Sequence, residues 1–327
     1  MLASGDVRCW GAGTLGRLGC GDTRTIGVAE TPASAQVVDV GGRVTQIAAG
    51  SRHTCAVLDR GSVRCWGEAS LGRLGYGDRA NVGDTPDRVP SKMGDVDVGG
   101  AVKQIVTGGD FTCALLERGN VRCWGYGGNG ALGYASLDSV GATRETTPAR
   151  IGDVDIGGVA IAITARDAHV CALLDDGGVV CWGLGTNGRL GHGDERSVGA
   201  RETPAAGGRV DVGGKVVAIV AGGFHTCAML ESGGLRCWGD AESGQLGYGN
   251  PYNVGALPGS VPRAAGDVAV GARIESVAAG TSHTCAIVEG ARVKCWGLGS
   301  GGQLGLGDRL NIGDERTPAT IGDLAVF

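Results

Sequence analysis

Aromatic residues make up only 4 % of this 327-residue chain. That leaves few of the ring platforms on which a protein stacks sugars. No apolar run approaches the roughly 20 residues that a membrane-spanning helix needs. Neither sign of charge dominates: 29 Lys and Arg face 34 Asp and Glu, for a net charge of −5. Nothing in that balance attracts nucleic acid or an anionic membrane. The first residues, MLASGDVRCW, contain no apolar core of a signal peptide. No segment shows a helical period with caps, and no C-x-x-C pair is present. The glycine-rich stretches GYGGNG and GLGTNG follow a strand pattern, but no helix and P-loop lysine follow them, so a phosphate cradle is excluded. No Ser/His/Asp order or isolated carboxylate pair stands out. We expect no catalytic, cofactor-binding or metal-binding residues, and no enzyme.

What the chain has in quantity is glycine, 65 residues, and cysteine, 12. There is no every-third glycine, so collagen is excluded. The tripeptide CWG occurs six times and uses every tryptophan: Trp10, Trp66, Trp124, Trp182, Trp238 and Trp296, at intervals of 56, 58, 58, 56 and 58 residues. A fixed period of this size means stacked supersecondary units. Each unit reads as an apolar strand such as VTQIAAG, a second strand such as HTCAVL, a three-residue turn, and a third strand ending in CWG. A glycine-rich loop such as LGRLGYGD and a proline-containing segment follow, and then DVDVGG, a short fourth strand. Four short strands repeated radially is the logic of a β-propeller, in which each sheet buries its faces against its neighbours.

The motifs GSRHTCAVLDRGSVRCWG, LGRLGYGD and TPASAQVVDVGG resemble the regulator-of-chromosome-condensation (RCC1) repeat family in its cysteine-bearing bacterial form. The resemblance covers essentially the whole chain and implies an all-β propeller, usually of seven blades. Here the strand of HTC type precedes only five of the six CWG strands. Residues 2–10 align with residues 58–66, and the C-terminal IGDLAVF aligns with IGDVDIG. The expectation is one repeat domain over residues 1–327, with five complete four-stranded blades and one N-terminal half-blade. The ring is then incomplete or irregularly closed, as a fragment of a longer protein would be.

Register decides what the cysteines do. If Asp59-Arg60-Gly61 is a three-residue hairpin loop, residues whose numbers sum to 120 face each other, and Cys55 lies opposite Cys65. Such a loop wants glycine third, and Gly5, Gly61, Gly119, Gly177 and Gly233 hold that place; the last unit departs with Glu289-Gly290-Ala291. Directly opposed residues lie within disulfide reach. The pairs are then Cys55–Cys65, Cys113–Cys123, Cys171–Cys181, Cys227–Cys237 and Cys285–Cys295. Two alternatives stay open: zinc held with the neighbouring histidines, against which Phe111 replaces one of them, and reduced thiols packed as small apolar groups. Cys9 lacks its partner strand. Cys20 stands where other units have Tyr76, Tyr134, His192 and Tyr248, and a Cys9–Cys20 bond stays open. Persistent disulfides imply an oxidising compartment.

The recurring tryptophans read as inter-blade packing, the histidines His53, His169, His225 and His283 as structural hydrogen-bonding groups, and Asp22, Asp78, Asp194 and Asp308 as loop ties. A binding site should show as a break in the repeat. The turn between the first two strands varies most, at Arg52, Asp110, Asp167, Phe224 and Ser282. Arg166 replaces a glycine kept at Gly50, Gly108, Gly222 and Gly280, where either positive φ or close backbone approach is implied. These six residues are the candidate partner-binding face. In the family's eukaryotic founding member, acids and histidines of this turn contact a small GTPase. Here only Asp110 keeps the acid, Phe111 has replaced the histidine beside it, and no blade has room for the inserted wedge that exchange uses.

The sequence therefore points to a monomeric, non-enzymatic protein-binding scaffold, secreted, periplasmic or at the cell surface, with no nucleic acid, membrane insertion or cofactor. The alternatives are a cytoplasmic exchange factor for a small GTPase and a purely structural module of a larger surface protein.

Overall fold

Each blade grows from two short hairpin turns. The computed structural model describes residues 1–324; the last three residues of the C-terminal IGDLAVF segment lie outside the described residues. The chain divides into two compact units, Met1–Asp155 and Ile156–Phe327. The first unit opens with a two-stranded half-blade, β1 (Val7–Arg8) paired with β2 (Val37–Val38). Two blades follow: β3 (Val44–Ala49), β4 (His53–Leu58) and β5 (Val63–Gly67), then β6 (Val102–Thr107), β7 (Phe111–Leu116) and β8 (Val121–Gly125). The second unit holds three: β9 (Ala160–Arg166), β10 (His169–Leu174) and β11 (Val179–Gly183); β12 (Val216–Ala221), β13 (His225–Leu230) and β14 (Leu235–Gly239); β15 (Ile274–Ala279), β16 (His283–Val288) and β17 (Arg292–Gly297). Every blade is antiparallel, with its middle strand between the other two.

The hairpin register is the one the three-residue loop demands. Val57 pairs with Val63 and Cys55 with Cys65, and the Gly61 amide donates to the Leu58 carbonyl at φ +74°. In the last blade Ala291 takes the left-handed place, at φ +57°, and the pairing reaches Val288–Arg292. All five disulfides form as the register requires, with Cα atoms 4.1 Å apart. Cys9 and Cys20 are free thiols.

The fourth strand is thinner than its alternating sequence suggests. In the first full blade Val96 donates one backbone bond to Val63 (2.8 Å), and Val98 then turns back onto Val96. The same single bond recurs from Val154, Val210 and Val268. Side chains carry the rest. Arg64 pairs with Asp95 (3.0 Å) inside its blade and donates to Val40 of the half-blade (2.9 Å). Arg122 does the same with Asp153 and Val98, and Arg236 with Asp267 and Val212. The proline segments contain single helical turns, α1 (Pro90–Met93), α2 (Pro148–Ile151), α3 (Pro204–Gly207) and α4 (Pro262–Ala265), each opened by a proline whose missing N–H costs nothing at a first helical position.

Blades join through tryptophan, glycine and histidine. Trp66, Trp124, Trp182, Trp238 and Trp296 are fully buried, but Trp10 of the half-blade, expected to pack likewise, is 58 % exposed. Each buried ring contributes about 4–6 kcal/mol of gross transfer energy, before ordering costs. The glycine loop of the preceding blade makes the room: a Cβ on Gly75 would lie 2.8 Å from Trp124 Nε1, and one on Gly247 2.8 Å from Trp296 Nε1. Two indole N–H groups of the second unit find carbonyls there, Trp238 on Arg189 (3.0 Å) and Trp296 on Gln245 (3.1 Å), whereas those of Trp66 and Trp124 are buried without a partner.

Candidate functional site

Three of the four phased histidines, His53, His169 and His225, are structural; His283, in the last blade, is only half-buried. His53 Nε2 lies 2.8 Å from Thr112 Oγ1 of the next blade, and the Thr112 hydroxyl donates onward to the Arg73 carbonyl (3.3 Å). The imidazole therefore donates through Nε2. His169 with Thr226, and His225 with Thr284, repeat the arrangement at 2.9 and 2.8 Å. Burial pushes all three imidazoles down to a pKa of about 3. The loop acids also behave as ties: Asp22, Asp78, Asp194 and Asp308 each accept the backbone N–H two residues on. Asn250 and Ser136 do this where the acid is replaced. Tyr76 accepts the Cys65 amide and donates to its carbonyl, and Tyr134 and Tyr248 serve the third strands of their own blades in the same way. With ten sulfurs bonded in pairs, no thiolate beside these histidines is left for zinc.

The turns between the first two strands are two-residue loops. Gly50 donates to the His53 carbonyl, Gly108 to Phe111, Gly222 to His225 and Gly280 to His283. None of these four glycines has positive φ. The requirement is close approach: a Cβ on Gly50 would stand 2.6 Å from the His53 ring, and one on Gly222 2.2 Å from that of His225. Arg166 escapes the clash because its turn is built differently, with Asp167 at φ +50°. That is the sign of a type II′ loop, at a cost of about 1–2 kcal/mol for a non-glycine residue.

Of the six candidate residues, Arg52, Arg166 and Asp167 are exposed, and Asp110, Phe224 and Ser282 are half-buried. In the first unit Arg52 pairs with Glu68 (3.3 Å), and Asp110 with Arg73 (3.1 Å). Arg73 also pairs with Glu68 at 2.8 Å. This binds the Arg52 and Asp110 turns into one charged cluster around a guanidinium that is only 2 % exposed. Glu68 stays below the usual carboxylate range: burial works against its charge, but the Ser70 hydroxyl bond and Arg73 outweigh it. In the second unit the buried Arg189 reaches Asp167 (3.7 Å), donates to the Gly223 carbonyl (3.3 Å) and lies over the Phe224 ring, 5.1 Å from its centre. Gln245, in the corresponding loop of the next blade, bonds Asp240 (2.7 Å).

Arg73 and Arg189 were missed in the sequence. The signal was available: the loop position reads Arg17, Arg73, Ala131, Arg189, Gln245 and Gln303, while the glycines and leucines around it hardly change. A position that varies inside an otherwise fixed loop marks the residues that tune the turns.

The RCC1-like domain profile matches residues 1–325. The chain is 32 % identical over 333 residues to the Ultraviolet-B receptor UVR8 of Arabidopsis thaliana, covering 98 % of this chain and 67 % of that protein. It is 31 % identical over 342 residues to the mitochondrial RCC1 domain-containing protein RUG3 of the same plant, covering 97 % of this chain and 70 % of the relative. Among solved structures, Prp20p of Saccharomyces cerevisiae, described with its binding to Gsp1p and histones, superposes with a TM-score of 0.57 at 19 % identity, over 95 % of this chain and 85 % of that one. Human WBSCR16 gives a TM-score of 0.64 at 22 % identity, over 83 % of this chain and 65 % of that one. These two structural likenesses speak to the fold, the β-propeller of RCC1-like blades.

Proposed function

Because the chain belongs to the RCC1-like domain family, we propose that residues 1–327 act as one repeat domain, a non-enzymatic scaffold that binds another protein through the turns between its first and second strands. One observation carries this reading. Four of the six residues that break the repeat, Arg52, Asp110, Asp167 and Phe224, are tied to buried Arg73 or Arg189, directly or through Glu68. A rigid framework with variable, prepaid turn geometry suits recognition, because little ordering remains to be done on binding. Within the first unit the cluster presents both signs of charge; within the second an aromatic ring sits beside a cation and an acid. Both features are common at the centres of protein interfaces.

Five disulfides support an oxidising location, secreted, periplasmic or at a cell surface. Among the described residues no helix is long and apolar enough to cross a membrane.

The test is cross-linking of the full chain to candidate surface proteins, followed by affinity measurement. Arg52→Glu with Asp110→Lys, and separately Phe224→Ala, should each weaken a genuine partner by about tenfold or more, since central interface residues carry 1–4 kcal/mol. A partner indifferent to both, yet lost on changing exposed residues of the three-residue hairpin loops such as Arg60, would move the binding surface to the opposite end of the blades.

A further inference from the structure

In the first full blade an arginine fills a cradle of backbone carbonyls. Arg88 lies two residues before Pro90, the residue that opens α1. Its guanidinium donates to the Asn81 carbonyl (2.8 Å) and to the Ala80 carbonyl (3.2 Å), and it stands 3.8 Å from the Asp78 carboxylate. Three bonds fix the loop that presents these carbonyls. The Gly83 amide donates to the Arg88 carbonyl (2.6 Å), the Ala80 amide to Asp78 Oδ1 (2.9 Å), and the Ala69 amide to Asn81 Oδ1 (3.1 Å).

The second unit repeats this cradle after β14 but leaves out the arginine. The Gly255 amide donates to the Ser260 carbonyl (2.6 Å), the Tyr252 amide to Asn250 Oδ1 (3.1 Å), and the Ala241 amide to Asn253 Oδ1 (2.9 Å). The carbonyls of Tyr252 and Asn253 are therefore presented as those of Ala80 and Asn81 are. No protein donor reaches either of them among the described residues. Ser260 holds the place of Arg88, and Ala264 and Ala265 of α4 hold those of Lys92 and Met93. The shorter side chains leave a cavity of about 400 Å³, walled by these three residues and by Tyr248, Tyr252 and Asn253. Tyr252 is 74 % exposed where the first blade has only Ala80. Elsewhere the place before the proline is engaged within its own loop: Thr146 donates to the Thr143 carbonyl (3.2 Å), and Glu202 pairs with Arg196 (3.7 Å).

We propose that this cavity binds a guanidinium group, either the arginine side chain of a polypeptide or a free guanidino compound. Arg88 identifies the occupant, because the same loop closes on a guanidinium in its own blade. The ligand's Nε–H and one terminal N–H would go to the Asn253 and Tyr252 carbonyls, and the two tyrosine rings offer π faces to the cation. Asn250 stands in the place of Asp78, so the site selects by the fork of donors more than by charge. A guanidinium, planar and weakly hydrated, suits such a site better than an ammonium does.

The probe is acetyl-glycyl-arginyl-glycinamide, titrated into the full chain and followed by the amide shifts of Tyr252, Asn253 and Val254. It should bind at least about tenfold more tightly than the same peptide with citrulline, which keeps the shape but loses the charge-assisted bonds. The lysine peptide should also bind more weakly. Ser260→Arg should weaken binding about tenfold or more, since the chain's own guanidinium then fills the cavity; Arg88 shows that this backbone accepts arginine. Tyr252→Ala, at an exposed position, should weaken binding about twofold to fivefold, the effect of one exposed cation–π contact. Agmatine, titrated in parallel, separates the two sources: whichever of the two ligands binds more tightly marks the polypeptide or the small molecule as the occupant. Equal binding of the citrulline peptide, unchanged binding in Ser260→Arg or in Tyr252→Ala, or shifts confined to other parts of the chain would each overturn the proposal.

Discussion

His53 and Thr112 lie one blade apart in sequence and 2.8 Å apart in space. Nε2 gives its proton to a hydroxyl that is itself committed to a carbonyl, which leaves Nδ1 as the place for any second proton. Nδ1 of His53 has no hydrogen-bond partner, and the same holds for His169 and His225. A second proton would be buried without an acceptor. These junctions therefore link blade packing to pH.

Acid should weaken the fold through these histidines. Their folded pKa is about 3, against about 6.5 in an unfolded chain. Between those values the unfolded state binds more protons, so stability is lost as pH falls below about 6.5. Each histidine removes on the order of 1 kcal/mol per pH unit, or roughly 3 kcal/mol by pH 4.5. Denaturant midpoints measured from pH 7.5 to 4.5 should show the fall. His225→Phe, which copies the natural Phe111 of another blade, should remove one histidine's share of the slope; an unchanged slope would show that carboxylates alone set it.

Alkylation of the native, unreduced protein should label Cys9 and Cys20 and no other cysteine. Both are half-buried, so labelling should be slow at neutral pH and complete on unfolding. Paired replacement of Cys113 and Cys123 by alanine should cost about 2–3 kcal/mol in thermal unfolding, the loop-closure value for so short a span. More than two labelled thiols per unfolded, unreduced chain would contradict the pairing.

Glycine at a blade junction should be far less replaceable than glycine in a loop. Gly75 and Gly94 have nearly the same backbone angle, φ +80° and +75°. A Cβ on Gly94 meets nothing within 4 Å, whereas one on Gly75 meets Trp124 Nε1 and Val96 Cγ1, both at 2.8 Å. Gly94→Ala should cost about 1–3 kcal/mol, the penalty of its φ +75°, ψ −169° backbone alone. Gly75→Ala adds overpacking of about 1–3 kcal/mol. Similar costs for the two would mean that the junction yields.

Repetition made much of this readable in advance. The third-place glycine of the hairpin loop specified the register, and the register placed each sulfur opposite its mate. The loop acids and the histidines were legible as structural because they recur in phase. Three things were not. The fourth strand alternates in sequence, yet its backbone makes one bond per full blade; Arg64, Arg122 and Arg236 add side-chain ties in three blades, while Val180 stands in that place on β11 and the single bond is the same. The glycine before each face turn was readable as needed but not why: the reason is an imidazole or phenyl ring from the same hairpin, which no local pattern reveals. Arg73 and Arg189 went unseen because an arginine in a glycine loop reads as solvated. Only the fold shows it buried against the next blade's turn.

That burial yields the last prediction. Arg73 is 2 % exposed and serves two acids, Glu68 at 2.8 Å and Asp110 at 3.1 Å. Removing it leaves Glu68 partly buried with only the more exposed Arg52 as a cation, and it frees the Asp110 turn. Arg73→Ala should therefore destabilise by about 2–4 kcal/mol, somewhat less than a fully buried pair because Asp110 is open to water. Arg73→Gln should cost less, since Gln245 already fills the equivalent place in another blade by bonding Asp240. The distinguishing measurement is hydrogen exchange at the Asp110 turn. Exchange at the amides of Gly108 and Phe111 should quicken in Arg73→Ala while the distant hairpin loop at Gly119 is unaffected. Uniform quickening across the blade would mean that the arginine supports the sheet as a whole and does not set the turn.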